Sequence, residues 1–244
     1  MNYNPQNVNN VTPPPYYGGG YVSVASQTNA VMKRVYLRMT IGLLVSAFVA
    51  LGVASSQTLI QILYGNPFVY WGMFIAMFIM AFTIPAAMNK LSNGAMIGLF
   101  VLFAALMGAS LSSIFLVYSL GSITSTFFIT AGTFGAMSAY GYFTKTDLTK
   151  FGSFLFMALI GLIIASVVNI FLQSPTMMWI VSFFGVLIFV GLTAYDTQKV
   201  KHLAAANLDP ALTDKLATIS ALNLYLDFIN LFLYLLRFLG ASRD

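Results

Sequence analysis

Seven uninterrupted apolar runs constrain what this chain can fold into more than any other feature. They cover about 36–54, 68–88, 95–119, 122–143, 151–172, 177–196 and 217–239. A helix needs roughly 20 apolar residues to cross the hydrocarbon core of a bilayer, and each run is close to that length or longer. The runs are continuously apolar instead of alternating, which excludes a closed barrel. Charge is scarce too: 7% of residues are charged, against about 25% in a soluble domain. The expected fold is an all-α integral membrane protein with seven transmembrane helices. Gly65-Asn66-Pro67, Ser92-Asn93-Gly94 and Ser174-Pro175 punctuate the runs, and Pro85 should kink or end the second.

Residues 1–30 are rich in Asn, Gln, Tyr, Pro and Gly and have nothing to bury, so they read as a polar, disordered tail ahead of a membrane domain over 31–244. The first apolar run is too long for a cleaved signal and lacks a cleavage motif. Lys33, Arg34, Arg38, Lys90, Lys145, Lys150, Lys199, Lys201 and Lys215 all fall on one side of a seven-span path. The positive-inside rule puts that side, with the N-terminus, in the cytoplasm. Arg237 and Arg243 lie at the far end of the last run, so a full crossing puts them and the C-terminus on the opposite side. The net charge of +5 is dispersed among apolar runs, which excludes a nucleic-acid surface. The chain has no cysteine and only one histidine, His202, so neither a thiolate site nor a zinc site is expected.

Small residues recur at every fourth position, as Ala104, Gly108 and Ser112 on the third run and Ala131, Gly135 and Ala139 on the fourth. Such faces let helices approach closely in lipid. Of six aspartates, Asp147, Asp209, Asp214 and Asp244 fall in loops or at the tail and read as solvated charges, leaving Asp196 and Asp227 within or at the edge of a run. An aspartate at the bilayer centre costs about 2.5–3.5 kcal/mol on insertion scales, so it needs a compensating partner. On the last run, Ser220, Asn223, Asp227, Asn230, Tyr234 and Arg237 share one helical face. A polar stripe of this kind must face protein or water, which makes the last helix a central one. Depth arithmetic puts Asp196 and Asp227 roughly 10 Å apart along the membrane normal unless helices tilt or slide.

Two motifs now carry a resemblance. Gly191-Leu-Thr-Ala-Tyr-Asp-Thr-Gln-Lys199 and Leu222-Asn-Leu-Tyr-Leu-Asp-Phe-Ile-Asn-Leu-Phe-Leu-Tyr-Leu-Leu-Arg237 resemble the Bax inhibitor family, also called the transmembrane Bax inhibitor motif or lifeguard-type family, in its bacterial branch. The likeness runs from about Met32 onward. It implies two three-helix layers around a central C-terminal helix, in the cell's inner membrane. It also implies a pH-sensitive calcium leak in which Asp196 and Asp227 share a proton, with a basic latch for which Lys90 is the candidate on the second run. The polar stripe of Asn223, Asn230, Tyr234 and Arg237 would support the pair.

Two carboxyls within hydrogen-bond reach in a dry site cannot both ionise cheaply and therefore share a proton. Losing that proton, or gaining another, would remove the bridge and open the cytoplasmic end. Calcium takes six to eight oxygen ligands. Asp196 and Asp227, helped by Asn223, Asn230, carbonyls and water, form a weak calcium site suited to passage. Calcium and protons are then the transported species, the bilayer and other membrane proteins are the partners, and no cofactor is expected. The alternative is a non-conducting regulatory protein that binds other membrane proteins such as a protease. An enzyme is not expected: Leu226 and Phe228 flank Asp227 where a membrane aspartyl protease would carry glycine, and no Ser–His–Asp arrangement is evident.

Overall fold

Short polar residues in front of the apolar runs decide where helices begin. Asn66-Pro67, Ser174-Pro175 and Asp209-Pro210 each set a capping side chain before a proline, whose missing N–H is no loss at a first helical position. In the computed structural model, which describes residues 24–206 and 208–241, these caps form. Asn66 Oδ1 accepts from Phe68 N at 3.0 Å, Ser174 Oγ from Met177 N at 3.3 Å and Asp209 Oδ1 from Ala211 N at 2.9 Å. Ser92 and Ser119 cap two further helices without a proline.

The elements among the described residues are all helical: α1 (Val24–Ala54), α2 (Gln57–Gly65), α3 (Pro67–Ala86), α4 (Asn93–Leu111), α5 (Ile114–Val117), α6 (Leu120–Phe143), α7 (Thr149–Leu172), α8 (Pro175–Ala205) and α9 (Pro210–Leu239). Six stretches are long and apolar enough to cross a membrane: α1, α3, α4 with α5, α7, α8 and α9. The seventh expected run, α6, has 24 residues but is diluted by Ser, Thr and Gly, and falls short of the same apolar measure. α3 ends one residue past Pro85, as the missing N–H requires.

The structure differs from the sequence reading in several places. α1 begins at Val24 and takes in residues 24–30 that composition assigned to the tail; the rest of that expected tail lies outside the described residues. The third run is broken at Ser112 and Ser113 into α4 and the single turn α5. The Ser112 hydroxyl bonds back to the Ala109 carbonyl and also meets the Tyr64 phenol, arriving from α2, a short helix the apolar runs did not reveal. α8 continues to Ala205 and α9 starts at Pro210, so both extend well past their apolar cores.

Packing follows the small residues on α4 but not on α6. A Cβ on Gly108 would lie 2.8 Å from Ser46 Cα, so α4 and α1 meet backbone to backbone there. The expected α6 face fails because Gly135 has nothing within 4 Å and Ala139 is exposed. The face that packs carries Thr126, Thr130, Phe134, Ser138 and Gly141, and Gly141 sits against the backbone of Ala194 on α8. α3 packs chiefly on α2 and α4, and α7 on α8. α9 lies against α1, α4, α6 and α8. It buries Ala217, Leu224, Tyr225 and Leu231 completely. The helix with the polar stripe is thus enclosed, as the stripe required.

Candidate functional site

Asp196 and Asp227 come from neighbouring helices whose register is set by an aromatic ring. Gly185 of α8 has no side chain, and the Tyr234 ring of α9 fills the vacant space, where a Cβ would come within 2.6 Å of it. One turn along α8, Phe189 stacks on the same ring, with centroids 5.8 Å apart and planes 25° apart. Two further turns along each helix, in opposite directions, bring Asp196 and Asp227 to the same level. There both carboxyls open onto the same cavity, one from each helix. The depth arithmetic, which set them apart, treated residue 196 as a helix end; α8 continues nine residues beyond it, and the antiparallel register aligns the pair.

Both carboxyls line a cavity of about 700 Å³ formed by α7, α8 and α9. Asp227 is the inner member, 5% exposed, while Asp196 is half-buried. Among the described residues no donor reaches Asp227 Oδ2. A fully buried carboxylate oxygen without a donor is costly, whereas a proton shared with Asp196 would satisfy it. The other charged or titratable groups on the wall are Tyr195 and Lys199 from α8 and Tyr234 from α9; α7 contributes Gly152, Ser153 and apolar side chains. Gly152 leaves room for the Tyr195 ring, which stands in the gap between α7 and α8.

The stripe residues fall largely where the helical spacing put them. Asn223, Asn230 and Tyr234 line the cavity with Asp227. Asn230 donates from Nδ2 to the Leu226 carbonyl at 2.8 Å, which leaves its side-chain oxygen for the cavity. Arg237 is exposed at the far end, its guanidinium 5.6 Å from the Tyr234 ring centre. Ser220 is half-buried and lies off the cavity wall. Lys90 does not reach the pair: it is exposed in the turn after α3, a helix that packs chiefly on α2 and α4. The basic group on the cavity wall is instead Lys199, one turn beyond Asp196. Among the described residues no group of three His, Cys, Asp or Glu side chains is gathered, so the acidic donors at the cavity number two.

Sequence reasoning missed a second polar centre. Asp214, read as a solvated loop charge, sits in the second turn of α9 with its side chain 25% exposed. Arg38 donates to its Oδ1 at 2.6 Å and to its carbonyl at 2.7 Å, and reaches Thr218 Oγ1 at 2.9 Å. Arg34 lies 3.6 Å from the same carboxylate, and Asn93 Nδ2 donates to Oδ2. The available signal was periodicity: Asp214, Thr218, Ala221 and Tyr225 form one face of α9, directed toward α1 and α4.

Residues 28–244 match the family described as inhibitor of apoptosis-promoting Bax1. An inner membrane protein of Escherichia coli, YbhL, is 50% identical over 214 residues, covering 87% of this chain and 92% of that protein. An uncharacterized Borreliella burgdorferi protein is 47% identical over 88% of this chain and 94% of its own length. A Rickettsia prowazekii protein, also uncharacterized, is 43% identical over 87% and 90%. With the family matched over residues 28–244 and half of the 214 aligned residues identical in a relative covered to 92% of its length, the chain belongs to the Bax inhibitor family.

Proposed function

We propose that this protein is a pH-sensitive cation leak of the inner membrane, passing calcium, and that the Asp196–Asp227 pair is its gate. The observation that carries this reading is that two carboxyls from different helices line one cavity inside the bundle, with no cation gripping the inner one among the described residues. The name of the Escherichia coli relative supports the inner membrane. In this reading α6 is the seventh span: its 24 residues rise roughly 36 Å, enough to cross. α1, α3 and α4 form one group of three helices, α6, α7 and α8 the other, and α9 lies between them. The N-terminus and the basic turns face the cytoplasm and the C-terminus the opposite side.

While one proton is held between them, Asp196 and Asp227 join α8 to α9 about 13 Å from the end of α8 at Ala205. Two protonated carboxyls can still hydrogen-bond. Two ionised ones repel in a low dielectric, and Asp227 then lacks a donor. Loss of the shared proton as pH rises is therefore the opening event. A calcium ion reaching the cavity meets two carboxylates and the Asn223 and Asn230 amides, too few ligands to hold it and enough to ease its passage.

Calcium flux into liposomes carrying the purified protein, followed from pH 5 to pH 8, tests this reading. Flux should rise with pH, and Asp227→Asn, which cannot form a doubly ionised pair, should flatten the profile. If that variant leaves both flux and pH profile unchanged, the pair is not the gate; if the wild-type protein passes no calcium, the non-conducting regulatory alternative takes its place.

A further inference from the structure

α8 and α9 are consecutive in sequence, yet their cytoplasmic halves are fastened to different neighbours. α9 is tied to α1 and α4. Arg38 of α1 grips Asp214 and Thr218, and Asn93 of α4 bonds both Asp214 and Thr218. Three turns deeper the Tyr225 phenol meets Ser46 Oγ at 2.6 Å, and Ser46 donates to the Ala104 carbonyl of α4 at 2.7 Å. α8 is tied to α6, α7 and the turn between them. Gln198 donates to the Thr146 carbonyl at 2.8 Å and accepts from Leu148 N at 2.7 Å, while Lys201 Nζ donates to the Tyr142 carbonyl at 2.6 Å. Within each set helices meet through glycine on backbone, Gly108 on Ser46 in the first and Gly141 on Ala194 in the second.

Across the seam between these two sets the contacts are of another kind. Deep in the bundle they are aromatic, with Phe127 and Phe134 of α6 against Phe228 of α9 at 5.6 and 5.4 Å between centroids. At the outer end backbone joins the sets: Ser119 N donates to the Ala241 carbonyl at 3.2 Å and Ala241 N to Ser122 Oγ at 2.9 Å. At the cytoplasmic end, beside the aspartate pair, two uncharged side-chain bonds cross it. Tyr36 OH of α1 meets Thr197 Oγ1 of α8 at 3.0 Å, and Tyr142 OH of α6 donates to Asn29 Oδ1 of α1 at 2.9 Å. The charged groups at this level, Arg34 and Arg38 on Asp214 and Lys201 on the Tyr142 carbonyl, stay within their own set.

We infer that Tyr36 and Thr197 are the positioning residues of the gate, a second closure across the seam that holds α8, and with it Asp196, against the set that carries Asp227. The inference rests on the reading of the aspartate pair as a gate. Thr197 follows Asp196 directly, is fully buried and points to α1, whereas Asp196 points to α9. The two bonds thus fasten neighbouring residues of α8 to two members of the opposite set. The α6–α8 set swings as a unit about the outer joint at Ser119–Ala241. When the aspartates part, the Tyr36–Thr197 bond between two uncharged hydroxyls still holds α8 to α1 at that level, and so limits how far the gate opens.

The absence of cysteine allows clean labelling of the full chain in liposomes. Spin labels at Lys33→Cys and His202→Cys report the seam; Lys33→Cys with Ala211→Cys reports the first set, and Lys145→Cys with His202→Cys the second. Thr197→Val, and separately Tyr36→Phe, should increase the open population of the seam distance by about fivefold at the pH where wild type is closed, the factor of one net hydrogen bond. The two distances within sets should stay fixed, and Thr197→Ser should restore the wild-type distribution. Calcium flux at the closing pH should rise in parallel while its pH midpoint keeps its dependence on Asp227. An unchanged seam distance in both variants, or within-set distances that widen with it, overturns the inference. Widening of the seam without calcium flux leaves it standing and refutes the leak.

Discussion

At the scale of single residues, the contrast between Asp227 and Asp214 shows how burial and partners divide one chemistry into two roles. Asp214 receives Arg38, Arg34 and Asn93, so every charge it carries has a partner across α1 and α4. Among the described residues Asp227 has no salt-bridge partner and one oxygen without a donor, and it shares its cavity with a second acid, Asp196. Arg38 is held by its fork, one nitrogen serving two acceptors and the other the carboxylate. Arg38→Lys should therefore lose most of what Arg38→Ala loses, about 1.5–3 kcal/mol by the usual worth of hydrogen bonds to charged groups, read as a lowered unfolding midpoint in detergent. Tyr225→Phe removes one buried hydroxyl whose partner Ser46 keeps the Ala104 carbonyl, and should cost about 1 kcal/mol in the same measurement.

Individual helices show where close approach is required and where it is not. α4 carries its own control, because Gly108 lies on the backbone of Ser46 while Gly98 has nothing within 4 Å. Gly108→Ala forces α1 and α4 apart and should destabilise by about 1–3 kcal/mol. Gly98→Ala gains helix propensity, and should stabilise by about 0.5–1 kcal/mol; unfolding of the two variants side by side checks both signs. At the start of α7, Asp147 accepts from the side chain and the amide of Thr149, and these bonds, with lesser help from Lys150 and His202, hold its carboxyl below the usual range. A lowered value in the folded state means a contribution present above the ordinary carboxylate range and lost as pH falls through the lowered one. The protection factor of the Thr149 amide, corrected for intrinsic exchange, should fall in acid in wild type and be low at every pH in Asp147→Ala.

For the whole molecule, the exposed surface is a lipid surface. Phe48, Phe68, Phe78, Phe143 and Phe171 stand outward, as rings in contact with acyl chains would, and the described basic residues other than Arg237 fall at helix ends and turns of one side. That asymmetry predicts the orientation in cells. An impermeant thiol reagent should label Gln57→Cys in intact spheroplasts, and Lys145→Cys only after the membrane is opened. The opposite pattern inverts the proposed topology. In the proposed gate, closure at the end that carries the basic turns and a backbone joint at Ser119–Ala241 would let the bundle open at one end without unfolding either set.

The apolar runs alone determined that this chain is helical and belongs in a membrane, because a span of that length leaves the backbone no other way to satisfy its hydrogen bonds in lipid. Helical spacing likewise made the face of Asn223, Asp227, Asn230 and Tyr234 legible, since a period of 3.6 residues is local. What spacing cannot carry is the offset between two helices. Whether Asp196 meets Asp227 depends on how far α8 slides along α9, and the Tyr234 ring in the gap left by Gly185 decided that. The same holds for Asp214, a surface charge in a linear reading and the centre of a three-helix junction once α1 and α4 fold over it. It holds for Gly135 and Gly141 as well, equally small in sequence, of which only the second lies under another helix. Helix identity is a property of short stretches of chain; helix register is settled by contacts between residues far apart in it, and only the tertiary structure contains those.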